Sequence, residues 1–112
     1  MRGIVYKIKI PTGEFYIGGT KRELRLRMTQ HIRGDNAGYE NKKSRLFKKI
    51  KINRLMKMVS ILYIGDSFAD YEGYLIDKSI DSPNSLNTIK PKYDNDNATR
   101  VHDLISKYSI KL

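Results

Sequence analysis

The chain has 112 residues, a length that suits one domain, and 39% of them are hydrophobic, enough for a single core. It contains no cysteine, which excludes disulfides, thiolate nucleophiles and cysteine-ligated zinc. Its 22 Lys and Arg against 12 Asp and Glu give a formal charge of +10, and this self-repulsion favours a polyanionic partner, nucleic acid before anionic lipid.

Two strands joined by a tight turn are the first predicted elements. Residues 3–10 and 14–18 are rich in β-branched and aromatic side chains, and the Pro-Thr-Gly connection fits a type I turn with a bulge. This turn sets Tyr6 opposite Gly18 and places Tyr16 on the same face as Tyr6. The other face carries the apolar residues Val5, Phe15 and Ile17. We therefore expect helices on both sides of the sheet.

The first helix is predicted from the capping-box sequence Thr20-Lys-Arg-Glu23 to about Ile32. Arg27 and His31 lie one turn apart on its inward, apolar stripe. Because a buried charge needs a partner, Arg27 either packs its stem and extends its head to solvent, or donates to phosphate oxygens in a cleft. His31 is either an ordinary core histidine or a member of the same cleft.

A polar loop over residues 34–40 precedes a very basic helix predicted over residues 42–51. The stretch from residue 42 to residue 57 has eight cations and no acid. The cations are Lys42, Lys43, Arg45, Lys48, Lys49, Lys51, Arg54 and Lys57. They form either a solvated face or, in our interpretation, a surface that binds nucleic-acid phosphates without sequence preference.

The next elements are a strand and a helix. Residues 56–64 are apolar on both alternations, which predicts a buried central strand, and a helix follows from about Phe68 to Ile80. Glu72 shares the apolar face of this helix. A carboxylate in that position either pairs with an arginine or binds a hard cation such as Mg²⁺.

The C-terminal part begins with a structured loop, predicted over residues 82–87. A polar turn over residues 93–97 and a short helix over residues 99–108 are expected after it. The order β-β-α-α-β-α with a small antiparallel sheet defines an α+β fold, and neither GxGxxG nor a P-loop motif is present.

The combined pattern resembles the GIY-YIG nuclease family. The first family motif corresponds to Ile4-Val5-Tyr6 and the second to Tyr16-Ile17-Gly18. Residues at matching spacing further along the chain are Arg27, His31, Glu72 and the pair Leu86-Asn87. The resemblance covers about residues 3–89. Two departures are that Gly19 stands where a polar residue is frequent, and that either Tyr39 or Asn41 could take the place of a further site residue.

The resemblance implies a three-stranded antiparallel sheet flanked by helices. Residues 1–89 would form the catalytic domain, and residues 90–112 would be an extension with a short helix within the same domain. The implied activity is hydrolysis of DNA phosphodiester bonds with one Mg²⁺ or Mn²⁺ ion and no small-molecule cofactor.

The resemblance also implies a role for each site residue. Tyr6 would be the general base, directly or through the water on the metal, and a cation beside a phenol lowers the pKa of that phenol. Tyr16 would bind the scissile phosphate or the attacking water. The other implied roles are bracing of the phosphate for Arg27, metal binding for Glu72, orientation of Tyr6 or the water for His31, and fixing of the site for Asn87.

A non-catalytic nucleic-acid-binding module of the same fold is the main alternative, and a basic ribosomal-type protein is a third. We expect an intracellular protein, bacterial or viral, because the sequence has neither a membrane-length apolar run nor an N-terminal export signal. Homing, restriction and repair roles stay open. Besides DNA, the expected partners are a second copy of the chain or a recruiting protein.

Overall fold

The fold is a three-stranded antiparallel sheet with helices on both faces, which confirms the predicted α+β class. The computed structural model describes residues 2–33 and 42–108, and the predicted polar loop with Tyr39 and Asn41 lies outside them. The elements are β1 (Gly3–Lys9), β2 (Phe15–Thr20), α1 (Leu24–Arg33), α2 (Lys42–Phe47), α3 (Ile52–Lys57), β3 (Val59–Gly65), α4 (Phe68–Ser79) and α5 (Asn95–Tyr108).

The β1–β2 hairpin has the register that its turn predicts. Tyr6 pairs with Gly18, and Ile8 pairs with Tyr16. Gly13 takes φ +94°, a backbone conformation that glycine adopts without strain, and its N–H donates to the Ile10 carbonyl at 2.9 Å.

The third strand differs from its prediction. The strand order is β2-β1-β3, so β1 is central and β3 lies at an edge, and β3 begins at Val59. Ile61 and Ile64 are 52% and 50% exposed. A run that is apolar on both alternations does not distinguish a central strand from an edge strand. Residues 56 and 57, predicted to begin the strand, instead form the last two residues of α3.

Each face of the sheet has its own apolar core. On one face, Tyr6, Ile8 and Met28 pack with Phe47 and Leu55 from α2 and α3. On the other face the core consists of Val5, Ile17, Tyr71, Ile76 and Val101, the last three from α4 and α5. Helices therefore cover both sides, as the apolar residues on both faces predict.

Three helix predictions need correction. The Thr20 hydroxyl accepts the Arg22 N–H at 3.0 Å, so it fixes a turn, and α1 begins only at Leu24 without the predicted capping box. The helix predicted over residues 42–51 ends at Phe47 as α2, and α3, which was not predicted, follows after a corner; Phe47 of α2 and Leu55 of α3 are both fully buried. The C-terminal helix starts at Asn95, because the Asp94 carboxylate accepts the Asn97 N–H at 3.2 Å as an N-cap, and with 14 residues it is not short.

Asp70 attaches the start of α5 to α4. Its carboxylate oxygens accept the Asp94 N–H at 3.0 Å and the Asn97 side-chain amide at 2.8 Å. Within residues 2–33 and 42–108, no helix has both the length and the apolar character needed to cross a bilayer.

Candidate active site

Two phenols converge over Gly18 on the α1 face of the sheet. Tyr6 is fully buried on the central strand, and Tyr16 is half-buried on β2. A Cβ on Gly18 would collide with the Tyr6 hydroxyl and lie 3.0 Å from the Tyr16 ring. The absent side chain therefore leaves the space in which these two rings meet.

His31 and Arg27 extend from α1 to the same phenols. The Nε2 atom of buried His31 lies 2.7 Å from the Tyr6 hydroxyl, and its ring packs edge-on to Tyr16 with centroids 5.1 Å apart. Arg27 hydrogen-bonds and electrostatically stabilises the ionised forms of both phenols, and it also donates to the Gln30 side chain at 3.3 Å. Both residues from the inward stripe thus belong to one cluster with the phenols.

Burial decides the protonation state of Tyr6 and His31. Burial raises the pKa of Tyr6 far above that of a free phenol, more than the neighbouring Arg27 lowers it. The expectation that a cation would lower this phenol's pKa is therefore wrong in its net direction. Burial, helped by the charges of Arg27 and Lys43, lowers the pKa of His31 to about 3. His31 is neutral at pH 7, so its Nε2 can accept the hydroxyl proton of Tyr6.

Glu72 comes from the opposite face of the sheet. Helix α4 packs on the Val5 side, but the Glu72 carboxylate accepts the Gly19 N–H, and a Cβ on Gly19 would lie 2.8 Å from its Oε1 atom. Burial raises the pKa of Glu72, and the Arg27 charge lowers it. Because Glu72 in turn raises the pKa values of both phenols, the acid is coupled to the cluster despite the position of its helix.

The residues fit a divalent cation held by a single carboxylate. Glu72 is half-buried, and a side chain at Gly19 would fill the space beside its oxygen. No group of three or more His, Cys, Asp or Glu that could hold a metal occurs among the described residues. This donor set suits a hard ion that keeps several waters, such as Mg²⁺, and does not suit a zinc site with four protein ligands.

Asn87 fixes the strand that carries Tyr16. Its side chain accepts the Ile17 N–H at 3.0 Å and donates to the Ile17 carbonyl at 2.9 Å. The predicted structured loop also forms two backbone hydrogen bonds with Phe15. The Phe15 N–H donates to the Asn84 carbonyl at 2.9 Å, and the Leu86 N–H donates to the Phe15 carbonyl at 2.8 Å. The Asn87 side chain thus satisfies the backbone hydrogen-bonding groups of Ile17 at the outer edge of β2, where no further strand of the described residues pairs.

Lys43 lies beside the cluster, although the sequence interpretation assigned it to a nucleic-acid-binding surface with the other cations of its stretch. It is half-buried, and its Nζ lies 4.4 Å from the centroid of the Tyr16 ring. Burial and the Arg27 charge lower the pKa of Lys43. Helical spacing offers a signal for this position, since Lys43 precedes the buried Phe47 by four residues.

The other members of the basic stretch differ from Lys43. Arg45, Lys48, Lys49 and Lys51 are exposed, whereas the side chain of Lys42 lies outside the described part of the chain. Arg45 belongs to α2, and the other three lie in the segment that connects α2 to α3.

The fold is a three-stranded sheet with helices on both faces, and its candidate site brings together two phenols, a guanidinium and a carboxylate. A family model described as the GIY-YIG catalytic domain matches residues 2–87. The chain therefore belongs to the GIY-YIG family, whose catalytic domain implies nuclease activity on DNA with a divalent metal ion. No curated protein and no solved structure matches the chain.

Proposed function

We propose that this protein is an endonuclease that hydrolyses DNA phosphodiester bonds at the cluster of Tyr6, Tyr16, Arg27, His31 and Glu72. The observation that carries the proposal is the 2.7 Å contact between the Tyr6 hydroxyl and His31 Nε2, within reach of the Arg27 and Glu72 charges. If the Tyr6–His31 pair served packing alone, it would not require the charges of Arg27 and Glu72 beside it. The arrangement suits proton removal beside an anionic substrate.

Arg27 and Lys43 bind the scissile phosphate in this proposal. The planar guanidinium of Arg27 donates in a geometry that matches two phosphate oxygens, and its contacts with the phenols hold it in place. Lys43 adds a second positive charge beside Tyr16. Donors fixed before the substrate arrives stabilise the charge that grows on the phosphate in the transition state.

Tyr6 removes the proton from the attacking water by a relay. Because its raised pKa keeps Tyr6 protonated, it passes its own proton to His31 Nε2 as it accepts one from water. The water oxygen bonds to phosphorus, one ester P–O bond breaks, and the leaving oxygen takes a proton from solvent. Burial is the main cause of the low pKa of His31, and the bound phosphate anion offsets only the smaller contributions of the Arg27 and Lys43 charges.

Glu72 is the proposed ligand for one Mg²⁺ or Mn²⁺ ion, which when bound supplies Lewis-acid stabilisation of the phosphate and the leaving oxygen. Asn87 positions Tyr16 through its two hydrogen bonds to Ile17. The exposed cations Arg45, Lys48, Lys49 and Lys51, with Lys42 from the same stretch of sequence, add affinity for the DNA backbone without sequence preference.

We also propose that residues 1–89 form the catalytic domain and that residues 90–112 belong to the same folding unit. Cutting a duplex takes two hydrolytic events, so either one copy nicks twice or two copies act together. Action inside a bacterial or virus-infected cell, in homing, restriction or repair, fits a nuclease of this size.

A plasmid-nicking assay tests the proposed activity. The wild-type protein should nick supercoiled DNA with Mg²⁺ or Mn²⁺ and lose this activity in excess EDTA. Glu72→Gln should reduce the rate by about 10²–10³-fold or more without loss of fold, because it removes a charge that acts in the transition state. Asp103→Asn, at an exposed acid of α5, removes the same charge and should cut normally.

Normal nicking by a folded Glu72→Gln protein, or undiminished nicking in EDTA, would contradict the proposal. DNA binding without any cleavage would favour the non-catalytic module instead.

A further inference from the structure

A groove lined by cations opens beside the candidate active site. It has a volume of about 340 Å³ and is lined by Thr20, Lys21, Arg22, Arg27 and Gln30, which we call the flanking groove. This volume lies at the lower end of the range for ligand pockets. Arg27 belongs to the groove and also hydrogen-bonds the phenols, so the groove continues directly from the proposed scissile-phosphate site.

The lining chemistry selects an anion. Three of the five lining side chains are cationic, the other two carry a hydroxyl and an amide, and none is acidic. The Thr20 hydroxyl is buried and accepts the Arg22 N–H at 3.0 Å, which fixes the turn that carries Lys21 and Arg22. Both cations are exposed at the end of β2. A negatively charged ligand would therefore meet a turn whose backbone is fixed and which presents two exposed cationic side chains.

One of the groove's cations lies near the helix that carries Glu72. Lys21 Nζ lies 5.9 Å from the ring centroid of Phe68, the first residue of α4, one turn before Glu72. Lys21, which lines the groove, therefore also lies near the start of α4. Lys43 lies over the Tyr16 ring and is not among the residues that line the groove. A strand whose scissile phosphate meets Arg27 would therefore have Lys21 and Arg22 beside it in the groove.

We propose that the flanking groove binds the backbone phosphate next to the scissile phosphate on the cut DNA strand, through Lys21 and Arg22. This rests on the proposed nuclease function, because Arg27 is then occupied by the scissile phosphate and only the other two cations are left for its neighbour. The DNA strand is accordingly held across the end of β2 and not only along α2 and α3.

The test compares Lys21→Ala/Arg22→Ala with a control, Lys9→Ala/Arg33→Ala, that removes two exposed cations outside the groove. Binding to duplex DNA is measured as a function of salt in a Glu72→Gln background without divalent metal. The groove variant should reduce the slope of log K against log salt by about 1, the value for one phosphate contact, while the control should keep the slope.

A second measurement identifies the phosphate. End-labelled oligonucleotides carry a neutral methylphosphonate at one linkage, and cleavage is followed at the bond beside it. For the wild-type protein and the control, neutralising the correct neighbour should slow this cleavage several-fold. The groove variant should cut slowly even on unmodified DNA. The methylphosphonate should not reduce its rate further, because the Lys21 and Arg22 side chains that bind this phosphate are already removed.

The outcomes separate the two proposals. Cleavage by the groove variant that stays as sensitive to the methylphosphonate as wild type overturns the groove assignment and leaves the nuclease function intact. Binding without cleavage overturns the nuclease function, and the salt slope alone then decides the groove, an unchanged slope counting against it. Inorganic phosphate binding that is lost in the groove variant, with an unchanged DNA salt slope, would mark a free-anion site and overturn the proposal.

Discussion

At the residue scale, burial outweighs neighbouring charge in the cluster. Arg27 favours the ionised forms of Tyr6 and Glu72, yet burial leaves the pKa values of both raised. Burial and the nearby cations act in the same direction on His31. The resting site thus holds a neutral imidazole and a protonated phenol in contact, the two states that the proposed relay needs.

His31→Gln should change how stability depends on pH. The pKa of His31 is about 3 in the folded protein and about 6.5 when unfolded, so between these values the unfolded chain binds more protons. Stability from neutral His31 is therefore full at pH 7 and falls by about 1.4 kcal/mol per pH unit below about pH 6. Glutamine keeps an acceptor for Tyr6 but does not titrate.

Urea unfolding at pH 7, 6 and 5 measures this dependence. The wild-type protein should lose more of its free energy of unfolding between pH 6 and pH 5 than His31→Gln does. Equal losses would show that His31 is not held neutral by the fold.

At the element scale, β2 carries the geometry of the site. It holds Tyr16, provides the bare backbone of Gly18 and Gly19 under the Tyr6 hydroxyl and the Glu72 carboxylate, and is fixed at its outer edge by Asn87. The two glycines let side chains from opposite faces of one sheet act on each other. Neither has a positive φ, so their role is close approach and not backbone conformation.

Gly19→Ala should therefore damage function more than folding. Its Cβ would lie 2.8 Å from Glu72 Oε1 and displace the carboxylate, and displacement of a catalytic group by about 1 Å can cost about 10²-fold in rate. We expect at least a tenfold loss (about one order of magnitude) in DNA cleavage and in Mn²⁺ affinity measured by calorimetry.

Gly13→Ala is the matched control. A Cβ there meets nothing within 4 Å, but φ is +94°, so alanine should cost about 1 kcal/mol of stability and leave cleavage unchanged. A Gly19→Ala protein that cuts DNA as well as Gly13→Ala does would contradict the close-approach argument.

At the scale of the whole molecule, one sheet supports two cores. Helix α5 contributes to the core in which α4, the helix that carries Glu72, is packed. Val101 of α5 packs with Tyr71 and Ile76 of α4 and with Val5 of the central strand. Because the opposite side of that strand carries Tyr6, only the backbone of β1 separates the core that contains α5 from the core that contains Tyr6.

Val101→Ala should therefore destabilise the whole chain in one transition. It removes two buried methylene equivalents, worth about 2 kcal/mol, whereas Ser106→Ala at an exposed position of the same helix should change stability by less than about 0.5 kcal/mol. Circular dichroism and tyrosine fluorescence should report the same midpoint. A separate early transition in circular dichroism alone would mean that the C-terminal extension folds independently.

Local chemistry made much of this molecule predictable. The Pro-Thr-Gly turn fixed the register that puts Tyr6 and Tyr16 on one face, since pairing beside a tight turn involves only neighbouring residues. The motif residues and their spacing indicated the family, and the family model confirms it. The inward positions of Arg27 and His31 followed from the helical period.

Tertiary structure decided the rest. The edge position of β3, the corner between α2 and α3, and the start of α5 at the Asp94 cap depend on which core each segment packs against. The half-buried place of Lys43 and the raised pKa of Tyr6 arise because burial is a property of the assembled chain. The sequence by itself determined the chemical groups and their local periodicity, while only the packed sheet decided which of them are desolvated together, because desolvation requires neighbours that are distant along the chain.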